Sequence, residues 1–429
     1  MEITQTTLTN GLKVMLKEIH TTPLISHWLW VRVGSRDEGP GLSGVSHWVE
    51  HMQFKGTPQF PAGKLDKDIS RDGGYWNAMT YIDWTAYFET MPADKIDLAL
   101  RLEADRLVNS EIKSEEVTSE RTVIISERQG NENSPMFLLD EDVQEAAFEK
   151  HPYQHEVIGR MKDLETITRD QLYGHYKQFY VPNNAVLAIA GDFDTANMLA
   201  RITELYDRIP SRPNPQRISE EEPGPEEERR IVTNGPGETI FVKAAYRSLR
   251  ATHADFFALS VADSLLAGPS NLNLFSGGIS NKTSRLYKRL VETELAVGVS
   301  GGLQATIDPY LYDITITVHP ERRAEDVIGA LDEELQRLQN EAPKPAELAR
   351  AVKQAQALFA YGSESITNQA FWMGFAEIFD TYDWFRNYLG RMEAVTPQEV
   401  QRAAQLYLRP ERRVLGVYQP DGRPASDGE

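Results

Sequence analysis

Apolar and polar residues alternate near the start of the chain. The run Leu12-Lys13-Val14-Met15-Leu16-Lys17 has period two and predicts a half-buried strand behind the turn Thr7-Leu8-Thr9-Asn10-Gly11. Leu24 to Val33 is richer in aromatic and β-branched residues and predicts a second strand, closed by Gly34-Ser35-Arg36-Asp37-Glu38. Lys64 to Arg71 reads as helix. Asp72-Gly73-Gly74 then turns the chain into a long strand or hairpin that ends near Met91-Pro92. Helical spacing follows over 93–107, 114–130, 136–148, 168–180 and 195–208, interrupted by an apolar strand over 184–190. Ser114 suits the start of the second of these helices, with Glu115 and Glu116 at the positive end of its dipole.

The pattern breaks at Ser211-Arg212-Pro213-Asn214-Pro215 and again over Glu220 to Glu228, a Pro- and Glu-rich stretch that reads as a solvated, mobile linker. Beyond it the element order repeats. A strand over 239–246 leads to helices over 254–266 and 284–291 and to paired strands over 296–306 and 311–318. Helices over 322–340, 345–359 and 396–408 and a closing strand over 414–418 complete it, with no element assigned between 360 and 395. A period of roughly 200 residues is too long for a solenoid. The expected fold is therefore α+β: two similar domains over 1–210 and 232–429 joined by a linker over 211–231. Each should be an antiparallel-rich sheet with helices packed on one side, and the two should face each other across a chamber.

Composition narrows the chemistry. The chain has 429 residues and a net charge of −19, which argues against a duplex nucleic-acid partner or an anionic membrane surface. It has no cysteine, so disulfides and thiolate chemistry are excluded and any zinc site must use His and carboxylates. The polar, acidic start and the lack of a long apolar run predict a cytoplasmic protein.

The stretch with chemistry is Gly44 to Thr57, which contains His47-Trp48-Val49-Glu50-His51. In a helix, His47 and His51 stack on one face and can hold one zinc, each nitrogen about 2.0–2.1 Å from the metal. Glu50 falls beside that face, where it can take a proton from a bound water. Ser43 or Ser46 is expected to cap the helix. A third protein ligand is needed to leave one position open, and the helix over 114–130 offers Glu120 and Glu127, seven apart on one face. The apolar run Val123-Ile124-Ile125 is expected to turn that face inward. His151 and His155 have a ligand-like spacing, but Pro152 breaks the helix that would align them. His27, inside the second strand, reads as structural.

Together these segments resemble the pitrilysin-type inverted-zincin peptidases. The resemblance rests on Gly34-Ser35-Arg36-Asp37-Glu38, His47-x-x-Glu50-His51-Met52-Gln53-Phe54-Lys55-Gly56-Thr57, Asn77-Ala78-x-Thr80, Glu120-Arg121-x-Val123-Ile124-Ile125-Ser126-Glu127 and His151-Pro152-Tyr153. It implies a zinc endopeptidase acting on unfolded or short peptides. In it His47, His51 and Glu127 are ligands, Glu50 is the general base and Glu120 orients a ligand. It also implies that Asn77 and Ala78 lie on an edge strand that receives substrate. Members that complete the site from their second half carry Arg and Tyr in a segment like Leu-Arg-x-x-x-x-Leu-Ala-Tyr. The matching stretch, Leu290 to Val297, lacks both, although Arg285, Tyr287 and Arg289 lie nearby. A homodimer or heterodimer with a homologous subunit is therefore expected. The alternative is a non-catalytic scaffold subunit, and a third reading is an inert structural zinc site.

Overall fold

The computed structural model describes residues 3–217, 222, 224–225, 227–270, 272–273 and 278–422. It divides into two compact units, and each takes a segment from the opposite half of the chain. The first comprises Met1–Arg128, His155–Ser219 and Glu364–Phe385; the second comprises Gln129–Gln154, Glu220–Ser363 and Arg386–Glu429. The contiguous domains over 1–210 and 232–429 expected from the sequence thus differ from the units that form, because each sheet recruits one helix from far along the chain.

In the first unit, β1 (Thr4–Thr7), β2 (Lys13–Glu18), β3 (Leu24–Val31), β4 (Tyr75–Thr80), β5 (Thr85–Pro92) and β6 (Ala185–Gly191) form one sheet in the order β1-β2-β6-β3-β5-β4. All pairings are antiparallel except β2 with β6. Every residue of β3 from Ile25 to Val31 is buried, so both its faces need cover. One face is covered by the helix Ile366–Phe379, whose Phe371 ring centres lie 5.5 Å from Trp28 and 5.2 Å from Trp30. Gly374 permits that contact: a Cβ there would stand 2.1 Å from the Trp30 Nε1. On the other face His27 is fully buried, with Nδ1 2.9 Å from Glu89 Oε2, and burial pushes its pKa down to about 4. β4 is one edge of the sheet, opposite β1.

The second unit has β7 (Arg229–Gly235), β8 (Phe241–Arg247), β9 (Ala296–Leu303), β10 (Leu311–Val318) and β11 (Arg413–Pro420) in the order β7-β11-β8-β10-β9. Here β7 and β11 are the parallel pair. The helix Pro135–Ala147, from the first half of the chain, packs on β7, β8 and β11. A Cβ at Gly416 would stand 2.5 Å from Val143 Cγ2 of that helix. Among the described residues no helix is long and apolar enough to cross a membrane.

At its described residues the linker makes contacts that its composition does not predict, while Glu220, Glu221, Pro223 and Glu226 of the acidic stretch lie outside the described residues. Arg217, at its start, donates to Asp37 Oδ1 (3.0 Å) and to the Arg32 carbonyl (2.8 Å). The Glu222 carboxylate accepts from the backbone N–H groups of Glu149, Lys150 and His151 at 2.7, 2.9 and 2.7 Å. Glu228 accepts from Arg413 Nε at 2.7 Å, and the next residue opens β7. Partial burial alone would raise the Glu222 pKa, but those three N–H donors outweigh it and hold the carboxyl below its ordinary value. Removing this acceptor in Glu222→Ala should cost about 1–2 kcal/mol. A melting curve should show it as a fall of roughly 2–4 °C per kcal/mol for a unit of this size. The contribution is present above the ordinary carboxyl pKa and is lost as acid protonates the folded group. The gap between wild type and Glu222→Ala should therefore close in acid, and an unchanged melting temperature at neutral pH would refute the anchoring role.

Candidate metal centre

His47, Glu50 and His51 sit on the helix Val45–Met52. Its N-cap is Gly44, at φ 88°, without a side-chain cap bond of its own. The expected Ser cap does not form, because both hydroxyls have tertiary partners. Ser43 Oγ donates to Asp163 Oδ2 (2.5 Å), and Ser46 Oγ donates to the Gly34 carbonyl (3.1 Å).

The two imidazoles lie with ring centres 4.6 Å apart. His47 Nε2 is 3.9 Å from Glu127 Oε1, and His51 Nε2 is 3.6 Å from Glu127 Oε2. These separations are too long for hydrogen bonds. They suit donors around one ion: tetrahedral zinc with bonds near 2.0–2.1 Å places its ligand atoms about 3.3 Å apart. The three ligand atoms all fall within 4.8 Å of one another. His51 Nδ1 is 2.8 Å from Glu120 Oε1, which leaves Nε2 for the metal side, and Lys55 pairs with the other Glu120 oxygen. His47 Nδ1 is buried without a hydrogen-bond partner, and Nε2 is the ring nitrogen that faces Glu127. The donor set therefore fits zinc.

Comparison with known proteins gives two matches along the chain. Residues 13–160 match the family model "Insulinase (Peptidase family M16)", and residues 166–355 match "Peptidase M16 inactive domain". The chain belongs to peptidase family M16. Among its M16 relatives, an uncharacterized zinc protease of Mycobacterium leprae is 28% identical over 428 residues, covering 97% of this chain and 92% of that one. A probable mitochondrial-processing peptidase subunit beta of Arabidopsis thaliana is 28% identical over 298 residues, 68% of this chain and 55% of that one. The crystal structure of a protease from Helicobacter pylori shares the fold, with a TM-score of 0.89 at 24% identity, covering 98% of this chain and 99% of that one.

At this candidate site of the M16 chain, burial sets the proton affinities. Glu50 is almost wholly buried, which pushes its pKa up to about 6 against the opposing bond from Thr80. Thr80 Oγ1 donates to Glu50 Oε2 at 2.8 Å. His47 is pushed down to about 3, mainly by burial and then by His51. Burial would lower His51 too, but its bond to Glu120 and the surrounding carboxylates raise it. Glu120 would be raised by burial, yet its bonds from His51 and Lys55 bring it below the ordinary value.

The route by which Glu127 reaches the site differs from the expected one. Of the run Val123-Ile124-Ile125 only Ile124 is buried; Val123 is 49% exposed, and the Glu127 side chain is 43% exposed. Glu127 arrives because it shares a helix face with the buried Glu120, two turns earlier. Asn77 and Ala78 lie on β4, where Asn77 Oδ1 accepts from the Ala78 N–H at 2.9 Å. His151 and His155 stand apart from the centre: His151 Nε2 is 3.2 Å from Asp308 and His155 Nε2 is 2.8 Å from Glu38. Thr80 and Lys55 had been visible only as members of motifs. The alternation of β4, which puts Thr80 on the face of Ala78, is the signal that could have singled out Thr80.

Proposed function

We propose that this chain is a zinc-dependent endopeptidase that cleaves unfolded or short peptides. The observation that carries the reading is the convergence of His47, His51 and Glu127 donors with the buried Glu50 on the same short helix. His47 Nε2, His51 Nε2 and a Glu127 oxygen would hold the metal. Zinc bound there supplies Lewis acidity, which polarises a scissile carbonyl and acidifies water. Glu50 takes the proton of the attacking water on its carboxylate and returns it to the leaving amine. Thr80 holds one Glu50 oxygen, so the other is aimed. Glu120 accepts from His51 Nδ1–H, which fixes the tautomer that presents Nε2 as a donor. A peptide would add as a strand to the β4 edge at Asn77 and Ala78, with backbone hydrogen bonds setting its register.

The test is metal analysis of the purified protein together with cleavage-site mapping on an unfolded peptide library. One zinc per chain and internal cleavages are expected. Glu127→Gln should weaken metal retention by about 10–100-fold or more, since removing even an outer partner of a metal ligand has that effect. Metal binding unchanged by Glu127→Gln would remove Glu127 from the ligand set.

A second reading is a non-catalytic scaffold subunit. It is favoured by the match of 166–355 to the inactive-domain model and by Val291 and Val297, which stand where the resembling peptidases carry Arg and Tyr. The intact donor set speaks against it. The same two valines support a homologous partner subunit, as either a homodimer or a heterodimer. A purified chain without zinc would favour the scaffold; zinc without peptide cleavage, alone or with such a partner, would favour an inert structural zinc site.

A further inference from the structure

The segment from His155 to Ile167 touches both helices that carry the metal donors, and no step of the proposed reaction uses it. We infer that this segment is a spacer that sets the distance between the two ligand-bearing helices, with His155 and Arg128 as its positioning residues. The inference rests on the zinc reading above.

On one side it holds the start of the helix Val45–Met52. The fully buried Glu38 carboxylate supplies the missing cap, accepting from the N–H of Gly44 and of Ser46, each at 2.8 Å. Those are first-turn donors that have no partner within the helix, and a carboxylate there also meets the positive end of the dipole. His155 Nε2 reaches the same carboxylate at 2.8 Å and so fixes the cap to the spacer. The backbones interlock as well. A Cβ at Gly44 would stand 2.4 Å from the Ile158 carbonyl oxygen, and a Cβ at Gly159 would stand 2.3 Å from the Ser43 carbonyl oxygen. The left-handed φ of each, 88° and 86°, also calls for glycine.

On the other side it holds the helix Ser114–Asn131. Arg128, next to Glu127, donates through Nη1 to the Gly159 carbonyl at 3.2 Å. Arg121, two turns earlier, donates to the carbonyls of Leu164 and Ile167. Gly159 is thus wedged against the residue before the histidine helix and bonded to the residue after Glu127. Metal donors on two different helices must be held to within about 0.5 Å to bind well. The backbone of one short loop is the shared reference for both.

The experiment compares wild type with His155→Ala, His155→Gln and Arg128→Ala, all as the full chain. The readouts are zinc affinity by chelator competition, the visible spectrum of the cobalt(II)-substituted protein, kcat and KM on one peptide, and thermal melting. His155→Ala and Arg128→Ala should each weaken zinc by about 10–100-fold, shift the cobalt bands and lower kcat with KM changed less than about threefold. His155→Gln keeps a donor at the Nε2 position and should restore most of both. If His155→Ala fails to fold, Arg128→Ala and His155→Gln still report. Variants that lose only melting temperature, with zinc affinity and cobalt bands as in wild type, would overturn the spacer. A wild-type chain that binds no zinc would instead overturn the zinc reading, and the spacer with it.

Discussion

Glu50→Gln should lower peptide turnover by about 10²–10⁴-fold, the usual worth of a positioned general base, while leaving zinc content unchanged. The amide has the shape of the carboxylate, and its oxygen can still accept from Thr80 Oγ1, which now donates at 2.8 Å. None of the three proposed ligands is touched. What is lost is the proton acceptor, in a pocket where Glu50 is 7% exposed and bulk water is a poor replacement. Metal analysis beside initial rates on an unfolded peptide reads both halves of the expectation. Near-normal turnover would show that another group accepts the proton. Loss of zinc would show that Glu50 supports the site rather than working in it.

The second large effect concerns the partner. The purified single chain should turn over peptide about 10²–10³-fold more slowly than the same chain mixed with a homologous subunit that carries the Arg/Tyr pair, the range typical of losing an oxyanion donor. The two nearby arginines are already engaged. Arg285 is held by Glu347, with Nε and Nη2 bonds of 2.8 and 2.9 Å, and lies 3.5 Å from Glu334. Arg289 pairs with Glu333 at 2.6 Å. Each guanidinium already has its carboxylate, so supplying the missing donor from Arg285 or Arg289 would require breaking an ion pair. Mass in solution, followed by assay of the chain alone and with the candidate subunit, decides the matter. Vigorous hydrolysis by a strict monomer would point to a different donor.

Much of this was legible where local periodicity and local chemistry coincide. His47, Glu50 and His51 are readable because a helix puts positions four apart on one face. Spacing makes Glu120 and Glu127 readable only as a pair; the family resemblance assigns them different roles, and the fold places Glu120 against His51 Nδ1 and Glu127 against both Nε2 atoms. The cap was not legible, because Glu38 lies outside the helix and is held there by a loop over a hundred residues away. The helix Ile366–Phe379 is not legible in the sequence for a related reason. Ala370 to Ile378 are all buried, so no polar face marks its turn. β1 carries no signal because Thr4-Gln5-Thr6-Thr7 has no apolar alternation, and β7 is obscured because it begins inside the charged linker.

The loan of Ile366–Phe379 to the first sheet also bears on how the protein is made. β6 ends at Gly191, so all six strands of the first sheet have been synthesised long before Phe379 is added. At about 5–20 residues per second, the wait for those roughly 190 residues is on the order of 10–40 s. Through that interval Trp28 and Trp30 have no Phe371 to cover them, and a sheet formed on the ribosome would lack this cover on its aromatic face. A chain released early, after the linker, should aggregate even though it contains every residue proposed to hold zinc.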